Sequence, residues 1–324
     1  MSSPTDFSPE DIRLMQGLAR KVSGLRPEVV NNGATVGQLA WAYGKDNATL
    51  GSTWRRRLWS DAGEVLAWGW IFLPYKVKRS DGQFNEVKRA HMAWQVHPER
   101  PELLHEALDW YDTEASGADR TTDVRAADKD ALLRLAAHGY QLHEQQASDD
   151  GYWQQMNTRE LTDLEQPVLP TGFRFRTAGE AGAEAAVQAH VDAWHPSSFT
   201  SRSYEGVRAM WPYREDLHIL VEAPDGTMAS TAIIWLDPHN RSAEFEPVGT
   251  HQAYQQRGLG KALLQHGLHV ARAAGAIRMT VSCLGGAAHQ AARGLYHSVG
   301  FRPFTQDAPQ IKHAPHVRPG AGNC

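Results

Sequence analysis

The stretch Tyr254-Gln-Gln-Arg-Gly-Leu-Gly-Lys-Ala-Leu-Leu264 decides the interpretation of this chain. It places two glycines between a strand-like segment, 243–250, and an apolar stripe at helical spacing that begins at Leu259. Glycines let the backbone approach a ligand closely, and the first amides of a helix have no acceptor within the helix. The stretch therefore predicts an anion-binding loop at a strand-to-helix junction.

The spacing of the glycines disfavours two other ligand-binding loops. A Walker loop requires G-x-x-x-x-G-K-S/T, whereas Lys261 follows the wrong glycine spacing and precedes Ala262. The dinucleotide pattern G-x-G-x-x-G fails at Leu263, where its third glycine belongs. Neither a nucleotide P-loop nor a dinucleotide-binding turn fits the stretch.

The segments on both sides of the loop predict a mixed series of helices and strands. Upstream, a strong turn signal at Pro224-Asp-Gly226 joins two strand-like segments into a hairpin. Gly275 stops the helix that follows the loop, and Gly300 stops the last helix. In chain order the pattern predicts a strand at 173–176, helices at 181–194 and 203–210, strands at 217–222, 228–236 and 243–250, a helix from 258, a strand at 277–282 and a helix at 287–299.

Two motifs and this element order resemble the GNAT (GCN5-related) N-acetyltransferases over residues 173–304. Gln255-x-x-Gly258-x-Gly260 is similar to motif A of that family, Q/R-x-x-G-x-G/A. Leu295-Tyr296-x-x-x-Gly300-Phe301 is similar to its L-Y-x-x-x-G-F element. The resemblance implies an α/β (α+β) fold, a mixed and mainly antiparallel twisted sheet flanked by helices, and acetyl-CoA as the cofactor.

The resemblance also implies which residues bind the cofactor. Val248 and Thr250 would pair with the pantetheine arm, and the Val248 N–H would polarise the acetyl carbonyl. His289 stands where the family often has an asparagine, six residues before Leu295, which puts the CoA contact usually made there in doubt. The pyrophosphate would lie on the loop and helix start formed by Gln255, Gln256, Arg257, Gly258, Leu259, Gly260 and Lys261.

Three residues are candidates for the chemistry of acetyl transfer. Glu244 and Glu246 lie two apart on the predicted strand, so without a bulge they project from one face, where burial would raise a carboxylate pKa toward that of a useful base. Glu246 is nearer the expected acetyl position and is the first choice. Tyr296 matches the tyrosine that the family places near the CoA sulfur as a general acid. The segment Trp194 to Tyr204 is expected to form the acceptor wall, with Phe199 and Tyr204 against the acceptor.

The N-terminal half predicts a second, degenerate copy of the same fold. Segments 38–43, 54–58, 65–73 and 91–96 are strand-like, a helix follows through Tyr111, and Tyr152 to Met156 would close the sheet. Where a cofactor loop is expected, no Gly-x-Gly occurs and Arg100 runs into Pro101. The chain is thus similar to tandem GNAT proteins of the mycothiol synthase type. We expect a degenerate domain at 1–166, a catalytic domain at 167–310 and a loose tail at 311–324.

Composition restricts the remaining function classes. A net charge of −4 gives no nucleic-acid footprint, no apolar run reaches the roughly 20 residues of a membrane span, and the scattered histidines predict no metal site. We expect a cytoplasmic monomer or homodimer that acetylates a primary amine of a small molecule. A non-catalytic acyl-CoA-binding regulator, or a Fem-type aminoacyl transferase, are the alternatives. Most of the eleven tryptophans fall in the first half, where core packing is the expected role.

Overall fold

The computed structural model describes residues 7–315 of the chain. Its helices are α1 (Pro9–Leu25), α2 (Val36–Leu50), α3 (Leu103–Glu114), α4 (Lys129–Ala137), α5 (Glu144–Ala147), α6 (Ala178–Ala181), α7 (Ala183–Ala193), α8 (Ser201–Arg208), α9 (Leu259–Ala273) and α10 (Gln290–Ser298). Its strands are β1 (Trp54–Asp61), β2 (Glu64–Phe72), β3 (Tyr75–Lys78), β4 (Phe84–Val87), β5 (Ala90–Val96), β6 (Arg120–Thr122), β7 (Gln141–Leu142), β8 (Gln154–Glu160), β9 (Arg174–Thr177), β10 (His218–Glu222), β11 (Met228–Asp237), β12 (Ser242–Thr250), β13 (Arg278–Leu284), β14 (Arg302–Gln306) and β15 (Gln310–Lys312).

The strands form two large sheets, one in each half of the molecule. The first has the order β1-β2-β5-β6-β15-β7 and the second the order β14-β8-β13-β12-β11-β10-β9, while β3 and β4 form a separate hairpin. Each large sheet contains one parallel pair, β5 with β6 and β12 with β13, and its other pairs are antiparallel. The expected fold class, two mixed and mainly antiparallel sheets flanked by helices, is confirmed.

Each sheet contains one strand from the other half of the sequence. β8 lies between β13 and β14 in the second sheet, so the prediction that 152–156 closes the first sheet is wrong. β15 pairs with β6 and β7 of the first sheet, so Ile311 and Lys312 belong to a strand and not to a loose tail. The rest of that predicted tail, 316–324, lies outside the described residues. Pairing with a distant strand satisfies backbone groups in a way that local sequence cannot reveal.

Helix α2 replaces the strand that the sequence predicted at 38–43. The Thr35 hydroxyl caps its N-terminus by accepting from the Gln38 N–H at 3.1 Å. α2 is enclosed by both halves, and an added Cβ on Gly44 would lie 2.7 Å from the Val207 Cα of α8. Many side chains of α2 are buried, so apolar residues are not confined to one side of the helix. Without a one-sided apolar stripe, the sequence did not indicate a helix here.

The hydrophobic core crosses from one half to the other. One cluster contains residues of α1 and α2 together with Ala186 of α7, Val207 of α8 and Trp235 of β11. Trp68 and Trp70 are fully buried, as the core interpretation of the tryptophans predicted. Since the halves share this cluster, the first half is positioned rigidly against the site in the second. Within 7–315, no helix is both long and apolar enough to cross a membrane.

Candidate active site

The central strands β12 and β13 separate in the middle of the second sheet. Their parallel pairing ends where Phe245 lies opposite Val281. β12 continues to Thr250 and β13 continues to Leu284, so a gap opens between the two strands beyond Phe245. Such a gap leaves backbone hydrogen-bonding groups available to a ligand.

The backbone of β12 presents polar groups to this gap. The His251 N–H donates to the Ala229 carbonyl of β11 at 3.0 Å, so His251 is a hydrogen-bonded position of this antiparallel pair. Along such a pair, hydrogen-bonded and non-hydrogen-bonded positions alternate. Thr250 and Val248 are therefore non-bonded positions whose N–H and C=O groups point away from β11. The Thr250 carbonyl accepts from the Gln255 side chain at 3.2 Å, which is consistent with this direction.

The glycine-containing loop leads from β12 into α9 with the geometry of an anion site. Gln256 and Gly258 both have left-handed backbones, with φ of 60° and 78°. Gly258 caps the helix, and its carbonyl accepts the first helical bond from Ala262 at 3.0 Å. The N–H groups of Leu259 and Gly260 come before that bond, so no carbonyl of the helix accepts a hydrogen bond from them. The side chain of Leu259 is buried in the core, which fixes the helix start while its backbone stays at the loop.

Two cations lie beside these amides. The Arg257 guanidinium lies 5.2 Å from the centre of the Tyr254 ring. Lys261 is exposed, and its ammonium is 3.9 Å from a carboxylate oxygen of Glu165. An ion pair this exposed contributes little stability, so Lys261 remains available to a phosphate.

His289 lies at the N-terminal end of α10, and its Nε2 is buried. That atom has no hydrogen-bond partner among residues 7–315. The ring lies 5.5 Å from the ring of Tyr152. A buried nitrogen without a partner is costly, so the arrangement suits a ligand that supplies one.

Glu246 is the first residue of β12 beyond the last parallel pair, at the point where the gap opens. Burial, and then the charge of Glu244, raise its pKa to about 8. The charge of Lys45 and a hydrogen bond from Gln38 act in the opposite direction. A carboxylate with a pKa near the working pH is well suited to accept a proton.

Glu244 is held by the N-terminal half. Its Oε1 accepts from the Thr35 hydroxyl at 2.8 Å, and its Oε2 accepts from the Gly37 N–H at 3.2 Å. Burial raises its pKa to about 7. Glu244 lines an interdomain cavity of about 290 Å³, whereas Glu246 lines a different cavity.

The predicted condition for the two glutamates, an unbroken strand, is not met. The register against β11 shifts between Phe245 and Val248, because Phe245 pairs with Ile234 and Val248 pairs with Ala232. The two carboxyl groups therefore have different surroundings, and Glu244 contacts the first half of the chain instead of the gap. Their catalytic roles stay predictions.

Tyr296 lies on α10, and 6% of it is exposed. Burial raises the pKa of its phenol, and the charge of Glu246 raises it further. The phenol therefore stays protonated, which is the form that can donate a proton. The neighbouring Leu295 anchors α10 to the start of α9, since an added Cβ on Gly260 would lie 3.1 Å from its Cδ2.

Helix α2 of the first half supplies site residues that the sequence interpretation missed. Gln38, Trp41 and Lys45 recur at the spacing of one helical face. Trp41 and Lys45 line a cavity of about 380 Å³ together with Glu246. The pair Thr35 and Gln38, a hydroxyl followed three residues later by a glutamine, is the helix-start signal that could have revealed this face.

The β3–β4 hairpin closes one side of this cavity. The Ser80 N–H donates to the Ser197 carbonyl at 2.7 Å, and the Ser197 N–H donates to the Ser80 hydroxyl at 3.1 Å. Phe199 lines the cavity, and its role in an acceptor wall stays a prediction. Tyr204 does not line it, because its hydroxyl lies in the core, 2.7 Å from that of Tyr213.

The first sheet has a matching gap that is filled by protein. β5 and β6 separate after Met92 lies opposite Thr122. The Asn31 side-chain amide donates to the Trp94 carbonyl at 3.1 Å, and the Trp94 indole N–H donates to the Thr122 hydroxyl at 2.9 Å. The segment after β5, 97–101, contains two prolines and no glycine. This half therefore lacks both the open strand edge and the loop.

Family and sequence comparisons agree with this geometry. Residues 184–301 match the model of the acetyltransferase (GNAT) family. A mycothiol acetyltransferase from Jonesia denitrificans is 28% identical over 165 residues, covering 47% of this chain and 52% of the relative. A mycothiol acetyltransferase from Beutenbergia cavernae is 35% identical over 149 residues, covering 43% of this chain and 48% of the relative. The chain thus spans about half the length of the curated relatives it matches.

Solved structures resemble the whole chain at low sequence identity. A tandem GNAT protein from the clavulanic acid biosynthesis pathway aligns with a TM-score of 0.64 at 14% identity, covering 96% of this chain and 98% of that one. A GCN5-related N-acetyltransferase from Sphaerobacter thermophilus aligns with a TM-score of 0.53 at 18% identity, covering 95% and 94%. At these identities the similarity establishes the fold alone.

Proposed function

We propose that this chain is a tandem GNAT acetyltransferase that transfers an acetyl group from acetyl-CoA to a primary amine of a small molecule. The observation that carries the proposal is the gap beyond Phe245, which leads directly to the loop at Gly258. The strand edge has N–H groups that point into the gap, and the helix start has N–H groups without a helical acceptor. Together they suit an extended ligand that carries phosphate groups. The similarity to GNAT proteins supports acyl transfer in general. We further propose that the acyl group is acetyl and that the acceptor is a small amine.

The residues around the gap fit acetyl-CoA. In this proposal the amides at Gly258–Lys261 hold the pyrophosphate, Val248 and Thr250 pair with the pantetheine arm, and His289 Nε2 contacts the coenzyme. Bound acetyl-CoA supplies an acetyl thioester whose carbon is open to attack by an amine. Within 7–315, no group of three or more His, Cys, Asp or Glu side chains is placed to hold a metal ion.

The chain's own groups would then move the protons. Glu246 accepts a proton from the acceptor ammonium, directly or through water, so that the neutral amine can attack. The Val248 N–H donates a hydrogen bond to the carbonyl oxygen as negative charge develops on it. The protonated phenol of Tyr296 gives its proton to the departing sulfur, and the proton that the attacking nitrogen loses as the amide forms restores the phenol. Acetyl transfer therefore proceeds by direct attack in a ternary complex.

Calorimetric titration of acetyl-CoA into the wild type and a Gly258→Asp, Gly260→Asp double variant tests the cofactor site. We expect one site per chain in the wild type and a loss of affinity of at least about 100-fold in the variant. An aspartate at these positions puts negative charge beside the pyrophosphate, and the backbone at Gly258 is left-handed.

A Gly63→Asp variant is the matched control, because Gly63 also has a left-handed backbone and lies in the β1–β2 turn with open space around it. It should bind acetyl-CoA as the wild type does. Absence of binding by the wild type would contradict the proposal, and two sites per chain would contradict the assignment to one half.

A further inference from the structure

The cavity beside Glu246 has an uneven charge distribution. Its lining residues include two cations, Lys45 from α2 and Arg79 from the turn after β3. Glu246 is the one carboxylate among the described residues that line it. The two cations therefore outnumber the carboxylates on the wall itself, since their acidic partners, Asp46 and Asp81, do not line the cavity. His190 adds no charge, since burial lowers its pKa to about 3.

Arg79 has hydrogen-bonding capacity that the protein does not use. Its NH2 group donates to Asp81 at 2.9 Å and to Gln83 at 3.1 Å, which holds the guanidinium in place within the hairpin turn. Its Nε is buried and has no hydrogen-bond partner among the residues described. Asp81 and Gln83 do not line the cavity. A fixed guanidinium with an unused buried donor suits an anionic group of a ligand.

Lys45 is the second cation on the wall of the cavity. Its ammonium is 2.8 Å from a carboxylate oxygen of Asp46, which leaves two of its three donor hydrogens free. Its charge lowers the pKa of both Glu246 and His190, so it lies close to both. An anion bound at Lys45 is therefore near the position where the acceptor amine must meet Glu246.

Aromatic side chains form the rest of the wall. Trp41 and Phe199 are stacked with ring centres 5.6 Å apart, and His190 stacks on Trp194 at 4.3 Å. A rigid aromatic wall favours an apolar or ring-containing body between the two polar ends of a ligand.

We propose that the acceptor carries an anionic group, a carboxylate in the first instance, which Lys45 and Arg79 bind while its amine faces Glu246. This inference rests on the proposed acetyl transfer for the identity of the amine end. The acceptor class is that of amino acids and their derivatives with an apolar or aromatic side chain. A phosphate monoester would satisfy the same two cations, so the test includes one.

Calorimetry with product-like probes tests the anion site without turnover. The probes are N-acetyl-L-phenylalanine, its primary amide and phenethyl phosphate, each titrated into the free protein at pH 7. We expect the wild type to bind the carboxylate about tenfold or more tightly than the amide, because hydrogen bonds to a charged group are stronger than those to a neutral one. Arg79→Gln should reduce that preference, and a Lys45→Met, Arg79→Gln double variant should bind acid and amide within about twofold of each other.

Lys76→Met is the matched control. Lys76 lies on the same hairpin, pairs with Glu86 at 3.0 Å and does not line the cavity, so this variant should keep the wild-type preference. Tighter binding of phenethyl phosphate, lost in the double variant, would support the site and identify a phosphate as its anion. Equal binding of acid and amide by the wild type, failure of all three probes to bind, or a preference that survives in the double variant would overturn the proposal.

The titration of acetyl-CoA separates this inference from the function on which it rests. Acetyl-CoA binding without a preference for the acid would refute the anion site and leave acetyl transfer standing. A preference for the acid without acetyl-CoA binding would refute acetyl transfer and leave the anion site standing.

Discussion

The two halves of the molecule contain the same gap between two parallel strands, and only one of the gaps is open. In the second half, the strands separate after Phe245, and the next residue is Glu246. In the first half they separate after Met92, and the next residue is Ala93. The first half also fills its gap with Asn31, which contacts Trp94 there.

This difference shows that the same strand arrangement can have an open or a filled gap. At the position of Glu246, the proposed base, the first half has an alanine, and Asn31 takes hydrogen bonds that a ligand could make. The first half nevertheless contributes to the open gap, since Gln38 and Lys45 of α2 act on Glu246. In the proposed function, one half therefore holds the site and the other completes it.

Replacing Glu246 with glutamine would make the open gap as poor in proton acceptors as the closed one. We expect turnover to fall by about 10²- to 10⁴-fold, because a positioned base contributes that much. Acetyl-CoA affinity should be unchanged, since the loop at Gly258 is untouched. Steady-state release of CoA with an accepted amine measures the first quantity, and calorimetry measures the second. Unchanged turnover would mean that Glu246 is not the base.

Replacing Asn31 with alanine would weaken the filling of the closed gap. The variant loses its side-chain bonds to the Trp94 carbonyl and from the Arg125 N–H, and both partners are buried. We expect the free energy of unfolding to fall by about 2–4 kcal/mol in urea denaturation. Exposed Asn47 in α2 provides the control Asn47→Ala, which should change it by at most about 0.5 kcal/mol.

The same variant tests why the first half has no cofactor site. Calorimetry of Asn31→Ala should still give one acetyl-CoA site per chain, because the segment 97–101 has no glycine loop. A second site would show that Asn31 alone closes that half.

Two substitutions should shift the pH dependence of the open site in opposite directions. The charge of Glu244 raises the pKa of Glu246 and that of Lys45 lowers it. The rate should rise as Glu246 loses its proton near pH 8, at lower pH in Glu244→Gln and at higher pH in Lys45→Met. The shift in the pKa of Glu246 is measured from the dependence of kcat on pH at saturating acceptor. A common direction, or no shift in either variant, would exclude this electrostatic coupling of Glu244 and Lys45 to Glu246.

The sequence predicted the second half better than the first for physical reasons. The loop at Gly258 could be recognised because it needs glycines at fixed positions, and Gly275 and Gly300 end their helices with left-handed backbones as expected. Helix α2 was missed because it is buried on several sides, so the apolar pattern no longer marks one face.

The polar residues of the site illustrate a second limit. Lys45 and Arg79 are distant in sequence from Glu246 and carry no local motif, so only the packing of the halves brings them together. Likewise, β8 joins the second sheet and β15 joins the first through pairing with strands distant in sequence. The periodicity of a segment does not reveal its pairing partner.

The exchange of strands between the two halves also bears on how the chain is made. The Arg120 side chain donates to the carbonyl of His313, 193 residues later, so the first sheet gains its β15 only after the second half has been synthesised. At about 5–20 residues per second, the ribosome needs roughly 10–40 s to cover that distance. Until then β6 and β7 lack their shared neighbour. The first sheet therefore stays incomplete while the second half is being made, and the two halves are completed almost together.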